Sequence, residues 1–104
     1  MPIKFKVLIT QSAERDVEAI YTFIAEDSPM RAQEFIAELE HQVKTLEHFP
    51  RRCSLIPENE ILKAEYRQLI YGDYRTIFRI HKNFVYVLRI IHGSRLLEDS
   101  SLEA

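Results

Sequence analysis

Cysteine is almost missing from this chain. Cys53 stands alone, so no internal disulfide can form, and no Cys/His spacing suggests a zinc site. The composition suits a reducing cytoplasm. Long apolar runs are missing too. The longest, Phe84 to Leu88, is far too short to span a bilayer, and Val7-Leu8-Ile9 behind Lys4 and Lys6 is too short for a signal peptide. No membrane association is expected, and no metal or small-molecule cofactor. Two glycines and four prolines leave little room for a linker. The 104 residues are therefore expected to form one domain over 1–104, with a tail that frays from about residue 98. A core this small is marginal by itself, so a bound partner would add to its stability.

The net charge of −2 says little until it is divided along the chain. Residues 1–48 hold five basic and nine acidic side chains. Residues 61–95 hold seven basic ones (Lys63, Arg67, Arg75, Arg79, Lys82, Arg89, Arg95) against Glu65 and Asp73. An acidic half is joined to a basic half, and a basic face points to an anionic partner, either nucleic acid or an acidic protein segment.

Lys4 to Ile9 reads as a strand, and Thr10 is a good cap for the helix that follows. Ala13, Val17, Ile20 and Ile24 recur at helical spacing, and the stripe ends near Glu26-Asp27. Ser28-Pro29 opens a second helix, in which Ala32, Phe35, Ile36, Leu39, Val43 and Leu46 form the apolar stripe. It should stop near His48, because Pro50 disfavours helical geometry at Phe49. Arg51 to Glu60 reads as a loop. Three strands follow, Tyr66–Tyr71, Tyr74–His81 and Phe84–Ile91, joined by turns at Gly72-Asp73 and Lys82-Asn83.

The predicted fold class is α+β: an N-terminal strand, then an antiparallel helical hairpin packed on one face of a mainly antiparallel four-stranded sheet. The first strand is expected beside the last. With two-residue turns, Leu69, Tyr71, Tyr74, Thr76, Phe78, Ile80, Val85, Val87 and Ile91 share the face under the helices. Ile70, Arg75, Ile77, Arg79, His81, Phe84, Tyr86, Leu88 and Ile90 share the other, expected to lie open toward a partner. Arg89, interior to a strand, needs a counter-charge, with Asp16 or Glu18 as candidates.

Three stretches carry a family resemblance. VLITQSAERDVEAI at 7–20 looks like the opening of ParE-type toxins. YRQLIYGDYRTIFRI at 66–80 resembles the central hairpin of the RelE/ParE superfamily, and YVLRIIHGSR at 86–95 is similar to its closing strand. The resemblance spans nearly the whole chain and is nearer to ParE than to RelE. It implies the toxin of a type II toxin–antitoxin system of the plasmid-stabilisation kind, bound and neutralised by a cognate antitoxin in a hetero-oligomer. ParE-type members inhibit DNA gyrase by binding; RelE-type members cut messenger RNA on the ribosome; an inactive relative would only bind antitoxin.

Ribosome-dependent cleavage needs a group to activate the 2′-hydroxyl, a cation for the developing charge and a group to protonate the leaving oxygen. Arg75, His92 and Arg95 are the residues that would serve a nuclease. Tyr66 and Gln68 stand where the RelE type has lysines, and residues 96–104 hold neither Tyr nor His. Proton transfer is therefore depleted, which favours a binding inhibitor over an enzyme. On that reading Arg67, Arg75, Arg79 and Arg95 meet the partner or target. His92 is better suited to closing the turn at Gly93. Tyr66, Tyr71, Tyr74 and Tyr86 offer rings for base stacking, although tyrosine is also simply a good strand residue.

Overall fold

The structure, a computed structural model, describes residues 3–98. The fraying tail expected from about residue 98 falls almost wholly outside the described residues. Strand β1 (Lys6–Ile9) leads through Thr10 into helix α1 (Gln11–Ala25). Thr10 is extended, and its Oγ1 accepts a hydrogen bond from Ala13 N at 3.2 Å. Helix α2 (Pro29–Lys44) begins the same way, with Ser28 Oγ accepting from Arg31 N and Pro29 at its first turn. The helix ends earlier than predicted, at Lys44, and tightens into a 3-10 turn over Thr45–Glu47. Phe49 then takes a left-handed conformation (φ 47°), which turns the chain into Pro50.

The segment predicted as a loop contains a short strand and a short helix. After a 3-10 turn at Pro50–Arg52 come β2 (Ser54–Leu55) and α3 (Asn59–Leu62). The asparagine that opens α3 pins the segment down: Asn59 Nδ2 donates to Tyr66 O and its Oδ1 accepts from Tyr66 N. Strands β3 (Arg67–Tyr71), β4 (Tyr74–His81) and β5 (Phe84–His92) form the predicted meander. The sheet has five strands rather than four, in the order β1-β5-β4-β3-β2. Pairing is antiparallel throughout except between β1 and β5, which run parallel.

Both predicted two-residue turns are present, with Tyr71 opposite Tyr74 and His81 opposite Phe84. Face assignment nevertheless fails at the end of β5. Ile77 pairs with Arg89 but Phe78 pairs with Val87, so Leu88 is an extra residue, a β-bulge. Beyond it the alternation inverts. Ile90, predicted to be open, packs into the core under the helices with Leu39, Phe78, Val85 and Val87. Ile91, predicted for that core, lies on the opposite side with Ile77, Ile56 and Leu97.

Helix α1 seals the bulge. Past Val87, β5 has no strand on its β1 side, and the helix entry supplies partners instead. Thr10 Oγ1 donates to Val87 O and Leu88 O, and Asp16 Oδ2 accepts from Ile90 N at 2.8 Å. The same carboxylate takes Arg89 in a fork, Nε to Oδ2 at 2.7 Å and Nη2 to Oδ1 at 2.8 Å. That hydrogen bonding raises the Arg89 pKa against the opposing effect of burial. Asp16, not Glu18, is therefore the counter-charge.

The β3–β4 turn rests on Phe35, whose ring packs between Tyr71 and Tyr74 at 5.1 and 5.7 Å. Gly72 has φ +57°, and a Cβ there would meet Phe35 Cε2 at 3.1 Å. Gly72→Ala should therefore cost about 1–2 kcal/mol for the left-handed backbone and the shifted ring. Thermal melting checks this. In a Phe35→Leu background the steric part should vanish and the backbone part remain.

Candidate functional site

The four arginines predicted to meet the partner or target do not share one face. Strand alternation places Arg75 and Arg79 on the face away from the helices, beside Ile77. Arg67 pairs in register with the core residue Phe78, so it starts from the helix side. Arg95 follows the end of β5 in an exposed turn whose amide closes onto His92 O.

Arg75 is also not exposed, contrary to the prediction of an open face. Residues 56–66 and the segment that follows β5 fold back over that face. Ile56, Ile77, Ile91 and Leu97 make a second apolar cluster there, flanked by Leu62 and Tyr66. Arg75 is 5% exposed within this layer and Glu58 6%. Their side chains pair as a fork: Nη1 donates to Oε1 at 3.1 Å and Nη2 to Oε2. Nη1 also donates to Gln68 Oε1 and Nη2 to Arg95 O, while Leu97 N donates to Glu58 Oε2 at 2.8 Å. The Arg75 hydrogen bond, aided by Leu97, holds the Glu58 carboxyl down at about 2 despite burial. Arg75 Nε is buried with no partner, the single such side-chain atom among the described residues.

Sequence reasoning missed Glu58, because nothing in Pro57-Glu58-Asn59 marks a loop carboxylate as buried. The usable signal was Arg75 itself, an arginine interior to a strand and in need of a partner, the same argument that found Asp16 for Arg89.

A cleft of about 430 Å³ lies beside this pair, lined in part by Gln68, Ile70, Tyr74, His92, Arg95 and Leu96. Its rim is exposed and apolar at Ile70 and Leu96, 64% and 71% accessible. The Arg95 guanidinium has no partner among the described residues. His92 stacks edge-on against Tyr74 at 5.6 Å, and its Nδ1 accepts from Ser94 N at 3.1 Å with Ser94 Oγ at 2.8 Å. Nδ1 is thereby engaged in closing the turn.

Arg67 Nη1 donates to Cys53 O at 2.6 Å and Arg51 O at 3.2 Å, tying the 50–53 segment to β3. The Arg79 guanidinium lies 4.5 Å from the centre of the Tyr86 ring. Cys53 is buried, and burial pushes its thiol pKa up against the pull of Arg52 and Arg67, so it is a packing residue rather than a nucleophile. Among the described residues no cluster of His, Cys, Asp or Glu could hold a metal ion, and no helix is long and apolar enough to cross a membrane.

An α-hairpin packed on a mostly antiparallel sheet, with the first strand parallel to the last, is an arrangement found in known toxins. The chain is similar in structure to a chromosomal ParDE TA system from P. aeruginosa (TM-score 0.67, 22% identity, 86% of this chain and 96% of that one). It is also similar to the toxin–antitoxin complex RelBE2 from Mycobacterium tuberculosis (TM-score 0.60, 22% identity, 86% and 99%). At that identity these likenesses establish the fold. No curated protein sequence matches. Residues 7–97 match the family described as ParE toxin of type II toxin-antitoxin system, parDE, and with nearly all of the chain inside that match the protein belongs to the ParE toxin family of type II toxin–antitoxin systems.

Proposed function

We propose that this toxin acts by binding rather than by cutting RNA, with DNA gyrase as its cytoplasmic target, and that a cognate antitoxin neutralises it in a hetero-oligomer. Arg75 carries the reading. A ribonuclease of the RelE type would need that guanidinium free to meet a phosphorane-like charge. Here it is buried and already matched by Glu58. A cation neutralised inside the protein has little charge left for a transition state. The neighbouring groups point the same way. Gln68 is spent on Arg75, and His92 Nδ1 is engaged by the Ser94 amide. The rim of Ile70 and Leu96 beside the unpaired Arg95 suits a protein surface, an apolar contact with one charge to orient it. Arg95 is the member of the predicted arginine set that we place in that contact.

Purified protein should inhibit gyrase supercoiling in a dose-dependent way and leave ribosome-bound message intact. Arg95→Ala should weaken gyrase inhibition about tenfold or more, as loss of an interfacial arginine does. Message cleavage that disappears in Arg95→Ala would overturn the proposal and favour the endoribonuclease. The structural neighbours, a ParDE system and a toxin–antitoxin complex, support the antitoxin partner.

A further inference from the structure

Strand β4 outruns β3. Their register ends at Arg67 opposite Phe78, so Arg79 to His81 have β5 on one side and no strand on the other. The gap is a cavity of about 270 Å³, lined by Arg51, Leu55, Glu65, Tyr66, Arg67, Arg79 and Ile80. Three arginines and one glutamate are among its lining residues. None of the three forms an ion pair with any carboxylate among the described residues, Glu65 included.

Each guanidinium is instead positioned by a group that leaves its charge uncompensated. Arg51 lies over the Phe5 ring at 5.9 Å, Arg79 over the Tyr86 ring at 4.5 Å, and Arg67 is tied to two main-chain carbonyls. The two arginines paired within the sheet behave differently. Arg75 and Arg89 each have a carboxylate. A set of arginines held in place without counter-ions is prepared for an anion that comes from outside.

We infer that Arg51, Arg67 and Arg79 form a site for the phosphate backbone of a single nucleic-acid strand, a site separate from the Arg95 cleft. Two features favour phosphate over an acidic peptide. The cavity is small, about 270 Å³, which suits a compact oxyanion. Tyr66 also lines the cavity, half-buried against the cluster that holds Ile56 and Ile77, and offers a ring on which a base can stack. The other tyrosines of the sheet are occupied: Tyr71 and Tyr74 pack on Phe35, and Tyr86 lies under Arg79. Strand β2, the natural edge for an added peptide, is only two residues long.

The test is fluorescence anisotropy of a short labelled single-stranded DNA oligonucleotide titrated with the whole protein over a range of salt. The expected slope of log affinity against log salt is about −2 for three phosphate contacts on a single strand. Arg79 is exposed, so Arg79→Glu should keep the fold, which circular dichroism checks. It should weaken binding about tenfold or more and lower the slope by about 1. Arg31→Glu, the same charge change at an exposed position on α2, should leave binding unchanged. Equal weakening by both variants, or no binding at low salt, would overturn the proposal. So would a polyglutamate peptide that displaces the oligonucleotide and binds as tightly. None of these outcomes depends on whether gyrase is the target.

Discussion

Glu58→Ala is expected to lower unfolding free energy by about 3–5 kcal/mol, the usual cost of removing one partner from a buried ion pair. A domain of this size has only about 5–15 kcal/mol in total, so the variant should sit near the limit of folding at 37 °C. The loss is large because Glu58 accepts from three donors, two on Arg75 and the Leu97 amide. Without it the Arg75 guanidinium keeps only Gln68 and Arg95 O, and Leu97 N has no acceptor. The segment around Leu97 should lift from the sheet before the rest unfolds, seen as faster amide exchange at Leu97. Replacing both partners by apolar residues of similar size, Glu58→Leu with Arg75→Met, should recover much of the stability, since neither desolvated charge then remains. Urea denaturation of the two singles and the double decides it. If Glu58→Ala changes the midpoint no more than a surface substitution would, the buried pair has been misread.

The same carboxylate gives a pH dependence with a definite sign. Its pKa is about 2 in the folded protein against 4.5 for the free side chain, chiefly through the Arg75 hydrogen bond. The unfolded chain therefore takes up this proton at higher pH than the folded one. The contribution is complete above about pH 5 and is lost as pH falls from there toward 2. It amounts to roughly 3 kcal/mol at neutral pH, because each tenfold difference in proton affinity between the two states is worth about 1.4 kcal/mol. Wild type should lose stability over that window, and Glu58→Gln, already without the charge, should lose less.

Asp16→Ala is the second large effect, at about 3 kcal/mol. It takes the carboxylate from the half-buried Arg89 guanidinium and the acceptor from the Ile90 amide. Asp16→Asn keeps one oxygen to accept from Ile90 but loses the charge and half of the fork to Arg89, and should cost roughly half as much. Hydrogen exchange separates the two roles. The Ile90 amide should exchange much faster in Asp16→Ala and only modestly faster in Asp16→Asn. A slow Ile90 amide in the alanine variant would mean that something other than α1 holds the bulge.

What could be read from the sequence follows from how local each signal is. Thr10 and Ser28-Pro29 announce helix starts within four residues, and both caps are made as expected. The turns at Gly72-Asp73 and Lys82-Asn83 are two-residue signals and fall where predicted. The bulge at Leu88 has no such signature. It is held by Asp16, more than seventy residues away, and it reverses Ile90 and Ile91. The layer over the second face is equally non-local. Ile56, Glu58 and Leu97 reach it from a segment read as irregular and from beyond the last strand. The candidate site suffered most, because an arginine on a strand looks the same in sequence whether it faces solvent or a buried glutamate. Arg75 needed the fold to decide, and so did the gap that joins Arg51, Arg67 and Arg79.

Strand β5 lies between β1 and β4, and it is the last strand in sequence among the described residues. Everything made earlier during synthesis waits for it. The two helices bury their stripes against Val85, Val87 and Ile90, and β1 has no other strand to join. A ribosome delivering this chain therefore releases an unfinished core until β5 clears the exit tunnel, since pairings this distant along the sequence close late. A prematurely terminated product lacking this strand cannot assemble the fold, so truncated copies should be harmless to the cell that makes them and short-lived within it.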